Sequence, residues 1–210
     1  MLDNSDLVRA AVSKGVRSRA VIDAMRSVDR RLFVGTDSRS QELAYQDVPV
    51  PIGENQTTSQ PSLIAAMLEA LAIQPTDHAL EIGTGFGYQT ALLCRLCRTV
   101  VSVEHRAGLL EQAARNLHAC GIENALVYQG DGGRGMPEHA PYTVIIGSAA
   151  TPSVPQPLYE QLSQGGRMIL PIGPGGHEQV ILYEQRETGL AAVRTLTAAR
   201  YVPMVGDYGV

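Results

Sequence analysis

The run Leu80-Glu81-Ile82-Gly83-Thr84-Gly85-Phe86-Gly87-Tyr88 constrains this chain more than any other. A short apolar segment, Ala79 to Ile82, meets three alternate glycines and then a stretch with helical spacing, Tyr88 to Leu96. Glycines at such a turn let the backbone bend tightly and approach a ligand with no Cβ in the way. The amides that open the next helix then favour an anionic group. The spacing is GxGxG, not the GxGxxG of dinucleotide sites, so a smaller anion such as an amino-acid carboxylate suits it better. The plainer alternative is a packing turn between strand and helix.

Beyond this loop the chain alternates. Thr99 to Val103 reads as a β-branched strand, and Ala107 to Ala119 as a helix stopped by Gly121. Ala125 to Tyr128, Val144 to Ile146 and Arg167 to Leu170 are further strands, with a helix over Gln156 to Leu162. Such alternation predicts an α/β fold whose mostly parallel, doubly wound sheet is covered on both faces. After Pro171 the runs Gln179 to Gln185, Ala191 to Thr197 and Arg200 to Val205 read as strands. Gly189 turns between the first two, so an antiparallel hairpin closes the sheet. Ahead of the alternation, Ser5 to Lys14 and Ser18 to Val28 form an N-terminal helical cap, with Ser18 as an N-cap. Residues 35 to 61 are interrupted by Pro49, Pro51, Gly53 and Pro61 and sustain no period, which in a compact domain marks a functional or disordered segment. A helix over Ser62 to Leu71 follows, capped by Ser59 or Gln60.

At 210 residues the expectation is a single domain, 1–210: cap and substrate loop over 1–61, binding core over 62–175, closing strands over 176–210. The 44% hydrophobic and 18% charged residues exclude a disordered or fibrous chain. Seventeen basic against 21 acidic side chains give a net charge of −4, which argues against nucleic acid or membrane as an obligatory partner. The longest apolar run, Leu63 to Ile73, is broken by Glu69 and falls short of the about 18 residues a membrane span needs. The amino terminus lacks the apolar core of a secretory signal, and three cysteines cannot all pair. A soluble, cytoplasmic monomer is expected.

Two acids add to the glycine loop. Glu104 ends the second parallel strand, where a carboxylate can accept both hydroxyls of a ribose. Asp131, in Gly130-Asp131-Gly132 after the third strand, can accept from an exocyclic adenine amine, with Gly132 leaving room for a flat ring. Alone, Glu104 reads as a surface acid and Asp-Gly as a turn. Together with the glycine loop they fall at the carboxyl ends of successive strands, where open α/β sheets bind ligands.

This combination resembles the class I S-adenosylmethionine-dependent methyltransferases. Val50-Pro51-Ile52-Gly53-Glu54-Asn55-Gln56-Thr57-Thr58-Ser59-Gln60-Pro61 narrows it, being similar to the PIGxGQTISQP segment of the protein-L-isoaspartate O-methyltransferase family. Ala140-Pro141-Tyr142, Val154-Pro155, Gln161-Leu162, Gly165-Gly166-Arg167 and Val202-Pro203 continue the match in the family's order. The resemblance implies a Rossmann-like methyltransferase fold, S-adenosyl-L-methionine as cofactor and isoaspartyl-containing proteins or peptides as substrate. The reaction it implies is repair: the methyl passes to the α-carboxylate of an L-isoaspartyl residue, and the ester collapses unaided to a succinimide that hydrolyses partly to normal aspartyl linkage. It places Glu81, Gly83, Thr84, Gly85 and Gly87 with the methionine part of the cofactor, Glu104 with the ribose, and Asp131 with Gly132 at the adenine. Gln56, Thr57 and Thr58 would cover the sulfonium, and Ser59 is the family's active-site serine.

A carboxylate of pKa about 3.3–3.9 is ionised at neutral pH and needs no general base to act as a nucleophile. The task is alignment and exclusion of water, which the neutral Gln56–Ser59 cluster suits. No GxSxG elbow surrounds Ser59, so it reads as an orienting donor, with N-capping of the next helix as the other reading. The sequence departs from the family pattern at Thr143 (usually Asp), Asn55 (Gly), Thr58 (Ile) and Ser62 (Tyr or His). Three alternatives stay open: a carboxyl methyltransferase for a dedicated aspartyl peptide or small acid, a cofactor-binding module without turnover, and a nicotinamide-dependent oxidoreductase. Cys94 and Cys97 form a CxxC inside a predicted helix and read as buried small hydrophobes rather than a redox pair. His78, His105, His118, His139 and His177 lack metal-ligand spacing, so no metal is expected; His105, beside Glu104, reads as a solvated loop residue, with a place lining the ribose pocket as the other reading. Arg17, Arg19, Arg26, Arg30 and Arg31 are expected on a solvated helix face.

Overall fold

The structure, a computed structural model, describes residues 2–174 and 176–209. The chain opens with α1 (Asn4–Ser13) and α2 (Arg19–Ser27). Asp3 caps α1 in a capping box with Asp6, and Ser18 caps α2 as expected, accepting from the Val21 amide. Their apolar faces (Leu7, Ala11, Val21, Met25) are buried against α4 (Pro61–Ala70).

The stretch between them is more ordered than its broken pattern predicts. It holds a 3-10 turn (Arg30–Phe33), the short helix α3 (Ser38–Leu43) and a hairpin of β1 (Pro51–Gly53) and β2 (Gln56–Thr57). Glu54 and Asn55 turn that hairpin with φ of 49° and 58°, a left-handed pair that an asparagine tolerates well. Pro61 takes the first position of α4. Neither expected cap operates: Gln60 is the flanking residue but makes no side-chain cap bond, and Ser59 lies outside the helix. Asp47 does the work from a distance, accepting from the Ser62 amide and hydroxyl and from Gln60 Nε2, each at 2.8 Å.

The alternating region gives β3 (His78–Ile82), α5 (Tyr88–Cys94), β4 (Thr99–Glu104), α6 (Ala107–Ala119), β5 (Ala125–Gln129), β6 (Tyr142–Gly147), α7 (Gln156–Glu160) and β7 (Leu162–Ile172). β8 (Glu178–Arg186) and β9 (Gly189–Ala199) complete one seven-stranded sheet in the order β5-β4-β3-β6-β7-β8-β9. The first five strands pair in parallel, and β8 and β9 are the expected antiparallel closure. Successive strand residues face opposite sides: Ala79, Val100, Val144 and Ile169 join the helices of the cap and α5, while Leu80, Val101, Ile145 and Leu170 pack with Leu158 of α7 and with Met204. The third run after Pro171 is not a strand. Among the described residues, Arg200 to Val205 makes one β-bridge, Ala150 to Pro203, and its Tyr201 amide donates to Glu178 of β8 at 3.0 Å. No helix among the described residues is long and apolar enough to cross a membrane.

Of two side-chain expectations, that for the cysteines holds and that for Arg30 does not. Cys94 ends α5 and Cys97 follows it in a turn, both buried and free, and burial pushes the Cys97 thiol up to about 12, far from nucleophilic use. Arg30 is not on a solvated face at all: its relative exposure is 0%. It is anchored by backbone carbonyls of the loop that precedes the hairpin.

Candidate functional site

Four of the five parallel strands, β3 to β6, contribute from their carboxyl ends to one cavity. The turn after β3 supplies Gly83, Thr84, Gly85 and Phe86; β4 supplies Glu104; the loop after β5 supplies Gly132; β6 is followed by Ser148 and Ala149. The β1–β2 hairpin closes one side through Ile52, Gln56, Thr57, Thr58 and Ser59, and the segment Val202–Val205 closes another. Gly85 has φ +56° and an added Cβ would lie 3.2 Å from Ile52 Cδ1, so a side chain there would fill the space between turn and hairpin. The hairpin tip is tied down by Glu54, whose carboxylate faces the Arg106 guanidinium at 3.5 Å.

Glu104 sits where the sequence placed it. One carboxylate oxygen accepts from the Gly85 amide at 2.8 Å and the other from the Arg106 amide at 3.0 Å. Each oxygen retains a lone pair for a further donor, and the side chain is only 7% exposed. The acceptor is thus fixed in place before any ligand arrives.

Three of the residues expected at the cofactor do not line this cavity. Glu81 does not reach the cavity wall: it is 0% exposed, and its carboxylate accepts from Gln89 Nε2 (3.0 Å), Ser102 Oγ (2.6 Å) and Thr90 Oγ1. Burial drives its pKa up to about 7, opposed by those three donors and reinforced by the Glu104 charge. Its influence on the cavity passes through Gln89, which also donates to Ser148 Oγ at 2.9 Å and does line the wall. Gly87 faces away as well. At φ +94° it precedes α5, and an added Cβ would meet Leu117 Cγ of α6 at 3.3 Å. Asp131 is occupied by the chain itself: its oxygens accept from the Gly133 and Asp207 amides, both at 2.9 Å, and Arg134 lies at 3.7 Å. The carboxyl-terminal segment therefore covers Asp131, while its neighbour Gly132 stays in the cavity wall, hard against Ile82.

A second groove, about 690 Å³, meets the first. The two share Thr57, Thr58, Ser59, Ser148 and Val202. The groove runs beside α4 and along residues 194–202, and carries Lys14, Arg194 and Arg200 against the single acid Glu69. Glu69 is already engaged by the Arg17 and Ser18 amides. Thr57 is exposed and Ser59 half-buried at this junction, whereas the Thr58 hydroxyl is taken up by Arg30 and the Val50 amide. Tyr201 flanks the groove; burial raises its pKa and Ser59 is the neighbour that eases its ionisation. His105 lies at the cavity rim and is exposed.

The chain also matches a known family over nearly its whole length. The model of the protein-L-isoaspartate(D-aspartate) O-methyltransferases matches residues 2–209. This chain belongs to that family. The protein-L-isoaspartate O-methyltransferase of Roseiflexus sp. (strain RS-1) is 43% identical over 202 residues, 96% of this chain and 91% of its own. A solved protein-L-isoaspartate O-methyltransferase superposes with a TM-score of 0.87 at 30% identity, covering 98% of this chain and 67% of the other. A Plasmodium falciparum structure in complex with S-adenosyl-L-homocysteine gives a TM-score of 0.84 with 98% and 99% covered; at 19% identity it shows the fold alone.

Within the isoaspartate methyltransferase family, the departures read from the sequence now have places. Thr143 accepts from the His78 amide (2.9 Å) and donates to its carbonyl (3.2 Å) at the amino ends of β3 and β6, the far edge of the sheet from the cavity. It does not border the site. Ser62 answers Asp47, Asn55 makes the hairpin turn, and Thr58 answers Arg30. Asp47, Arg30, Gln89 and the wall segment Val202–Val205 are site elements that the sequence reading did not single out as such.

Proposed function

We propose that this protein transfers a methyl group from S-adenosyl-L-methionine to the α-carboxylate of L-isoaspartyl residues in damaged proteins or peptides. The observation that carries this reading is the junction of the two cavities at Thr57–Ser59: one has the features of a nucleoside and amino-acid site, and the other is open and cationic. The residues fit the cofactor. Gly83 and Gly85 leave the turn without a Cβ at these two positions, Glu104 offers a fixed acceptor suited to ribose hydroxyls, and Gly132 presents backbone in the cavity wall, packed on Ile82. Bound S-adenosyl-L-methionine supplies an electrophilic sulfonium methyl.

The chain's own residues supply position. The junction offers neutral donors, Thr57 and Ser59, that orient a carboxylate without taking a proton from it, and the substrate carboxylate is ionised at neutral pH. Arg194 and Arg200 attract acidic substrates into the groove, while Lys14 at its edge is paired with Asp47 at 2.8 Å. Ile52, Ile64, Val103 and Leu109 line the cavity with apolar surface that excludes water. The three cysteines are free, which suits a reducing cytoplasm, and we read the chain as a monomer there.

Tritiated cofactor incubated with an isoaspartyl peptide or its aspartyl twin tests the assignment. Label in a base-labile ester of the isoaspartyl peptide is expected. Label in the aspartyl twin alone would assign the groove to a dedicated peptide, and none in either would leave a binding module.

A further inference from the structure

Arg30 is the largest side chain that is wholly buried, and it has no carboxylate partner within 4.0 Å among the described residues. Its guanidinium donates instead to the carbonyls of Ala44 (3.1 Å), Gln46 (2.8 Å) and Val48 (2.9 Å) and to Thr58 Oγ1 (2.9 Å). Burial lowers its pKa to about 10, so it stays ionised at neutral pH. A buried charge without a counter-ion is costly and persists only where fixed dipoles replace water. Staple function alone could be met with neutral groups, so the place of the charge calls for a reason.

That place lies between the two halves of the site. On one side the guanidinium carbon stands 5.7 Å from the ring centre of Tyr88, the residue that follows the glycine turn and opens α5. On the other it holds Thr58, which is fixed twice more: its amide donates to Val50 O at 2.8 Å, and its hydroxyl accepts from the Val50 amide at 3.1 Å. Thr57 and Ser59 flank that fixed point at the junction of the cavities.

We propose that Arg30 is a positioning residue for methyl transfer, a bracket that sets the separation between the glycine-turn cradle and the carboxylate-receiving Thr57–Ser59 segment. This rests on the function proposed above. It touches neither reactant and acts through Thr58 and Tyr88. A planar guanidinium reaches four acceptors in fixed directions, which a lysine ammonium on a flexible stem does not.

The test compares Arg30→Lys, Thr58→Val, Thr58→Ser and the double variant Arg30→Lys/Thr58→Val. Turnover of an isoaspartyl peptide, S-adenosyl-L-homocysteine affinity by calorimetry and amide hydrogen exchange at Thr58 are read for each. A bracket predicts that kcat falls about tenfold or more in Arg30→Lys and in Thr58→Val, as loss of one hydrogen bond to a charged group implies. Affinity for the demethylated cofactor stays within about threefold, because positioning is lost rather than uniform binding. Thr58→Ser keeps the hydroxyl and restores kcat to within about threefold of wild type. The double variant is no worse than the poorer single one, since the two act as a unit. Thr58 amide exchange quickens in Arg30→Lys. Unchanged kcat in a folded Arg30→Lys, multiplying losses in the double variant, or a Thr58→Ser as poor as Thr58→Val would each overturn the bracket. Should Arg30→Lys not fold, the contrast of Val with Ser at position 58 decides. Should the wild-type protein methylate no isoaspartyl peptide, the proposed function fails on its own; faster Thr58 exchange in Arg30→Lys would still uphold the bracket, and unchanged exchange would overturn it.

Discussion

Substituting Glu81 by Gln should stabilise the protein at alkaline pH and have little effect at acidic pH. Glu81 is wholly enclosed, and burial carries its pKa from 4.5 to about 7 despite donors from Gln89, Thr90 and Ser102. The folded state therefore keeps a proton that the unfolded chain releases above pH 4.5. Stability that is fully present below that value is lost as the pH rises through about 7, and the loss then levels off. A shift from 4.5 to about 7 is about 2.5 units, which at about 1.36 kcal/mol each is about 3 kcal/mol. Urea unfolding followed by far-ultraviolet circular dichroism, repeated from pH 5 to pH 8 on both proteins, isolates this term from every other titrating group. The wild-type stability should fall relative to Glu81→Gln by most of that amount across the interval. Parallel curves would show that the carboxylate ionises in the fold without penalty, and would refute the desolvation argument.

Three further outcomes follow from the same geometry. Glu104→Gln should weaken S-adenosyl-L-homocysteine binding by about 1.5–3 kcal/mol in calorimetry, the range for a hydrogen bond to a charged group; unchanged affinity would remove Glu104 from the ribose. Gly87→Ala should lower stability by about 1–2 kcal/mol, the cost of a left-handed L-residue, because φ is +94° and Leu117 crowds the new Cβ. A melting temperature equal to wild type would contradict this. Ser59→Ala should reduce kcat more than cofactor affinity in steady-state kinetics and calorimetry; the reverse pattern would move Ser59 from the carboxylate to the cofactor.

The sheet was legible because its strands announce themselves twice, by β-branched runs such as Thr99–Val103 and by glycines or polar residues at their ends. Helix α6 ends where Gly121 follows, for the same reason. Arg200–Val205 misled because its apolar residues pack onto the site rather than into a ladder, and composition does not distinguish the two. The hairpin of residues 51–57 is too short for any period to show. Within the site, Glu104 and the Gly83–Gly85 turn were readable since the backbone at a strand end dictates where they point. The contact of Asp131 with the carboxyl-terminal segment was not, because its partner Asp207 lies 76 residues away in sequence. Arg30 carries no local sign at all: it sits among Arg17, Arg19, Arg26 and Arg31, and only the path of residues 44–58 around it makes it interior. Glu81 faces α5 and serves the cavity at one remove through Gln89, a distinction that spacing alone cannot carry.

A crystal grown with S-adenosyl-L-homocysteine and an isoaspartyl peptide examines the shared junction most directly. The ribose hydroxyls are expected on Glu104, the sulfur near Thr57–Ser59, and the peptide's free carboxylate facing it from the groove beside residues 194–202. A nucleoside bound away from Glu104, or a peptide lying outside that groove, would contradict this arrangement.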